Sequence, residues 1–90
     1  MFTGIIETLG VVEAIQQDGT NVTFTLRATI APELKVDQSL AHDGVCLTVE
    51  KMEGNSYQVT AIEETIRKTN LAMWRVGRKV NLERCMVMNG

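Results

Sequence analysis

Ser39-Leu40-Ala41-His42-Asp43-Gly44-Val45-Cys46-Leu47-Thr48-Val49 reads as two short strands joined by an Asp-Gly turn. Asp-Gly between strand-forming runs signals a tight hairpin, because a type I′ turn needs positive φ at both central residues. Cys46 and Thr48 are two apart, so on a strand their side chains share one face. If that face lines a pocket, a thiol and a hydroxyl can read a small polar ligand. If it faces the core, they are two small residues and no more.

The flanking sequence continues the strand pattern. Gly4 to Gln16 carries Ile5-Ile6, Leu9, Val11-Val12 and Ile15, which predicts one long, bent strand broken near Gly10. Asp18 to Asn21 is a turn. Val22, Phe24 and Leu26 then alternate with Thr23, Thr25 and Arg27. Ile30 to Leu34 contains the only proline and predicts a short helical turn. Glu53-Gly54-Asn55 is a second tight turn, and Tyr57 to Ile62 another strand. Glu63 to Leu71 changes to a charged pattern that fits a helix of one or two turns, with Thr65 as a candidate N-cap. Val76-Gly77 leads into a last strand, Lys79 to Arg84. Leu34–Leu40 and Trp74–Val80 echo one another, each reading as a turn that feeds a strand. The expected fold is all-β: a six-stranded antiparallel Greek-key barrel with one or two short helices.

Composition bounds the function. Ninety residues with no linker make one domain, residues 1–90. Such a chain buries only about 60–65% of its unfolded surface. With two Phe, one Trp and one Tyr, an aliphatic core of Val, Ile, Leu and Met is expected. A net charge of −2 gives no basic face for nucleic acid or an anionic membrane. No apolar run approaches the roughly 18–20 residues of a membrane span, and the Met-Phe-Thr-Gly start lacks the pattern of an export signal. Cys46 and Cys85 are therefore expected as free thiols in a cytoplasmic protein.

Cys46 taken alone is a small buried hydrophobe or a site residue. His42, the only histidine, stands at the turn, and a solvated side chain is expected rather than a proton-transfer group. Ser39 and Thr48 can bond a ligand or their own backbone. Glu63-Glu64-Thr65 opens the helix, where free N–H groups beside carboxylates suit either a polar ring or a plain capped end. Met73, Met86 and Met88 read as packing or interface residues, and Trp74 as a cover for one end of the core. No phosphate loop, metal cluster or Ser-His-Asp order is present.

Four stretches together resemble the N-terminal half of the riboflavin synthase family: Met1–Ile6, Ser39–Val49, Glu64–Leu71 and Val76–Glu83. Members of that family carry two similar barrels and form trimers. They convert two molecules of 6,7-dimethyl-8-ribityllumazine to riboflavin and 5-amino-6-(ribitylamino)uracil, with no metal or organic cofactor. The resemblance implies substrate-binding roles for Gly4, Ile5, Ile6, Cys46, Leu47 and Thr48, and for Thr60, Ala61, Ile62, Glu63, Glu64 and Thr65. It implies roles in turnover for Phe2, Ser39 and Cys46. In that chemistry the donor loses a proton from its C7 methyl group while a nucleophile adds to the acceptor; Ser39, Cys46 and a bound water are the candidates.

The sequence departs from the family at Asp37, where Gly is common, and at Ala72-Met73, where Gly and an acidic residue are frequent. It stops at Asn89-Gly90, short of the family's Gly-His segment and second barrel, and His42 does not replace that histidine. The expectation is a domain that binds lumazine and riboflavin, self-associates (as a dimer, for example) and turns over little or not at all. The alternatives are a non-catalytic lumazine or flavin carrier of the same superfamily, and a barrel that binds no small molecule.

Overall fold

A computed structural model describes residues 8–84, so Gly4 to Glu7 of the expected first strand fall outside the described residues. Six strands close into a barrel: β1 (Thr8–Asp18), β2 (Asn21–Ala28), β3 (Ser39–His42), β4 (Val45–Glu53), β5 (Ser56–Ala61) and β6 (Lys79–Arg84). Round the barrel they run β1-β2-β5-β4-β3-β6, every neighbour antiparallel, with β6 returning to β1. The hairpin read from the sequence forms as expected, with φ of 50° at Asp43 and 86° at Gly44. Among the described residues no helix is long and apolar enough to cross a membrane.

Two long connections close the ends. The link from β2 to β3 passes β5 and β4 and contains a 3-10 turn at Ala31–Glu33. The link from β5 to β6 passes β4 and β3 and carries helix α1 (Glu63–Lys68) followed by a 3-10 turn at Leu71–Met73. Because β2 and β5 are antiparallel, the two links cap opposite ends, where Leu34 and Trp74 are buried as plugs.

The echo between the two links is structural. Leu34 and Trp74 each donate to the carbonyl three residues back, Ala31 and Leu71. Asp37 N–H bonds Val49 O, and Gly77 N–H bonds Val12 O. Val49 and Val12 return the bond to Gln38 O and Arg78 O. Each of these valines precedes a β-bulge, at Val12/Ala14 in β1 and Val49/Lys51 in β4. The barrel is thus two copies of one hairpin-link-strand unit, and α1 belongs to the second alone.

The repeat sets Asp37, with φ 74°, where its counterpart is Gly77 at 95°. Asparagine and aspartate tolerate this region better than other side chains do, and β-branched residues tolerate it worst. Asp37→Val is expected to cost about 1–2 kcal/mol. Asp37→Gly should stay within about 0.5 kcal/mol, relief of φ being offset by a more flexible unfolded chain. Thermal melts check this, since 1 kcal/mol moves the midpoint by roughly 4–8 °C in a domain this small.

Three expectations need correction. The irregularity in β1 is the bulge after Val12, not a break at Gly10. Gly10 pairs in register with both Ala28 and Val80, and a Cβ there would lie 2.9 Å from Leu82 Cδ1, so glycine serves close approach. The core is not purely aliphatic: among the described residues Trp74, Tyr57 and Phe24 are the largest fully buried side chains, set among Val12, Leu26, Leu40, Val59, Val80 and Leu82. Thr65 does not cap α1; Ile62 stands at the N-cap without a side-chain bond, and the helix ends at Lys68 rather than Leu71.

Candidate functional site

Strand parity decides which groups of the central hairpin face out. Leu47 and Val49 are buried in the barrel, so Cys46 and Thr48 lie on its outer face, and both are exposed. Thr48 pairs with half-buried Ser39, and Cys46 with buried Ala41. On β5 the same parity buries Tyr57, Val59 and Ala61 and turns Thr60 outward. Thr60 pairs with Thr23 of β2, and their hydroxyls are 2.9 Å apart.

The register between β4 and β5 runs from Glu53–Ser56 to Val49–Val59 and stops there. Beyond it β4 still carries Val45 to Thr48 and β5 continues to Ala61, each paired only on its other side. Over that stretch the facing edges of β4 and β5 have no strand-to-strand pairing with each other. In the first half of the barrel the equivalent hairpin stays paired as far as Gly10–Ala28. The divergence coincides with the extra helix α1, which begins directly after Ile62.

Ser39, Cys46, Thr48 and Thr60 thus lie on the outer side of the strands that border this gap, and exposed Ile62, Glu63 and Glu64 follow the end of β5. Leu47 and Ala61 point inward and can offer a ligand their backbone only. Thr65 is half-buried within α1, and its carbonyl accepts from Thr69 Oγ1. Glu64 is held 2.8 Å from Lys68 one helical turn on. Phe2, Gly4, Ile5 and Ile6 lie outside the described residues, as do Cys85, Met86 and Met88. Met73 is exposed, which suits the interface reading.

A well-formed open groove lies elsewhere, about 570 Å³ at the α1 end of the barrel, floored by Phe24, Leu71 and Trp74 and rimmed by Arg67 and Arg75. Of the expected site residues that are described, it takes in only Glu63.

His42 is not the solvated turn residue that the sequence suggests. It is wholly buried, with Nδ1 2.9 Å from Leu40 O and Nε2 2.9 Å from the Tyr57 hydroxyl. A carbonyl only accepts, so Nδ1 carries the proton and Nε2 accepts from Tyr57. Burial holds the imidazole pKa down to about 4, against smaller opposing effects of the Leu40 and Val45 backbone and the Asp43 charge. Burial likewise pushes the Tyr57 phenol up. The sequence carried no signal for this: Tyr57 is 15 positions away and meets His42 only when the barrel closes.

Comparison with known proteins agrees with the topology. The family model of the lumazine binding domain matches residues 3–85. Riboflavin synthase of Bacillus amyloliquefaciens is 38% identical over 91 residues, covering 100% of this chain and 42% of that protein. Riboflavin synthase of Saccharomyces cerevisiae is 37% identical over 94 residues, covering 96% and 40%. The chain spans about two fifths of the length of these curated relatives. The crystal structure of LumP complexed with 6,7-dimethyl-8-(1′-D-ribityl)lumazine superimposes with a TM-score of 0.89 at 24% identity, over 100% of this chain and 51% of LumP. At that identity the likeness shows the fold alone. With a family match over nearly its whole length, the chain belongs to the lumazine-binding domain family.

Proposed function

We propose that this chain is the N-terminal lumazine-binding barrel of a riboflavin synthase, binding 6,7-dimethyl-8-ribityllumazine and riboflavin at the opening between β4 and β5. The observation that carries the reading is the stop in the β4–β5 register at Val49–Val59. It leaves two strand edges for the donor and acceptor rim of a flat heterocycle, and outward hydroxyls at Ser39, Thr48 and Thr60 for a ribityl chain. Riboflavin synthases that match the chain from end to end support the choice of ligand.

In the whole protein, one lumazine would transfer a four-carbon unit to another, giving riboflavin and 5-amino-6-(ribitylamino)uracil in the cytoplasm. Ser39 and Cys46 flank the opening and, with a bound water, are the candidates for the nucleophile. The relatives' further length fits a second barrel that completes each site, so this chain alone binds ligand with little or no turnover. Exposed Ile62, 53% accessible beside the opening, suits a surface that a partner covers, consistent with self-association.

Titration with riboflavin, followed by flavin fluorescence, should saturate at one ligand per chain. Incubation with the lumazine should yield riboflavin far more slowly than an intact synthase does. Unchanged fluorescence would sink the binding claim, and synthase-like turnover the claim of incompleteness. Sedimentation of the same sample should show dimers or larger species; a monomer at high concentration would refute self-association.

A further inference from the structure

We propose that Glu50 is a positioning residue of this site, acting through Thr60 to give the opening a fixed hydrogen-bond polarity; the inference rests on the reading above. Glu50 follows Val49 at the β4 bulge, on the rim of the opening. Its carboxylate accepts a hydrogen bond from Thr60 Oγ1 at 2.6 Å. An ionised carboxylate has no proton to give, so the Thr60 hydroxyl hydrogen is committed to Glu50. Thr23 Oγ1, 2.9 Å from Thr60 Oγ1, must then be the donor in that pair.

The chain runs one way, Thr23 to Thr60 to Glu50. A hydroxyl has one proton and two lone pairs. Thr60 gives its proton to Glu50 and one lone pair to Thr23, and retains one acceptor position. A ligand atom that meets Thr60 must therefore carry a proton: a ribityl hydroxyl or an imide N–H fits, and a bare carbonyl does not. The equivalent bulge in the first half shows the contrast. Glu13 there takes the Ser56 hydroxyl and lies 3.5 Å from Arg27, an ion pair across a closed stretch of sheet.

The test is riboflavin affinity in a double-mutant cycle. Glu50→Ala frees the Thr60 hydroxyl to turn and should weaken binding about ten-fold, the size of one charge-assisted bond in a partly wet site. Glu50→Gln keeps an acceptor and should recover affinity to within about three-fold of the parent chain. In a Thr60→Val background, Glu50→Ala should add nothing further, because its effect passes through that hydroxyl. Thermal midpoints of the Glu50 variants should match the parent, since the side chain is exposed. Riboflavin binding by the parent with equal affinity in Glu50→Ala overturns this proposal alone, as does an undiminished Glu50→Ala effect in the Thr60→Val background. No binding by the parent overturns the ligand reading itself.

Discussion

Trp74→Ala is expected to cost about 3–5 kcal/mol, the range for truncating a large buried aromatic side chain. A domain of this size holds only about 5–13 kcal/mol of stability in total, so the variant should lose a large share of it and melt well below the parent. Trp74 is 1% exposed and plugs the barrel end capped by the second link. Phe24 meets it edge-on with ring centroids 4.8 Å apart, and the His42 ring lies at 6.3 Å. Its removal opens a void beside Phe24 and His42 at the groove beneath α1. Trp74→Phe should cost much less. It keeps a ring against Phe24 and removes an indole N–H that has no hydrogen-bond partner among the described residues. Circular dichroism melts of the two variants decide the matter; a Trp74→Ala midpoint within a few degrees of the parent would show that the plug is dispensable.

Acid should destabilise the barrel by roughly 3 kcal/mol through His42 alone, the equivalent of a fall from 6.5 to about 4 in pKa. The unfolded chain binds the proton at the ordinary histidine value, and the folded chain resists it until about pH 4. Between those limits the unfolded state holds more protons, so stability rises with pH. The full contribution is present above pH 6.5, and it is lost as pH falls to 4. The physical cause is desolvation: an imidazolium at this position would be sealed from water beside Leu40 O and the Tyr57 hydroxyl. Urea unfolding at a series of pH values should show this slope, and a His42→Asn variant should lack it even if its overall stability is lower. The imidazole resonances should stay in the neutral form down to about pH 5 in the folded chain, well below the ordinary histidine midpoint; titration near 6.5 would refute the buried assignment.

Much of the fold was legible because its signals are local. Asp43-Gly44 could be read as a type I′ turn since only its own φ angles matter, and they are 50° and 86°. Val22, Phe24 and Leu26 against Thr23, Thr25 and Arg27 marked the two faces of β2 for the same reason. The Leu34–Leu40 and Trp74–Val80 echo pointed to a repeated unit, which the matching hydrogen bonds bear out. Thr65 was misread because a hydroxyl before a charged run resembles a cap, whereas the end of β5 fixes the helix start at Ile62.

By itself the sequence determined the turns, the alternation along each strand, and that Cys46 and Thr48 share a face. Which face that is, it could not determine, because parity has no sign until the sheet closes. Closure sets Leu47 inward and Cys46 outward. It also carries His42 from an apparent surface turn into contact with Tyr57, and ends the β4–β5 register at Val49–Val59, where α1 is inserted. Each of those outcomes depends on residues that meet across the barrel, and no local rule of turn or alternation reaches that far.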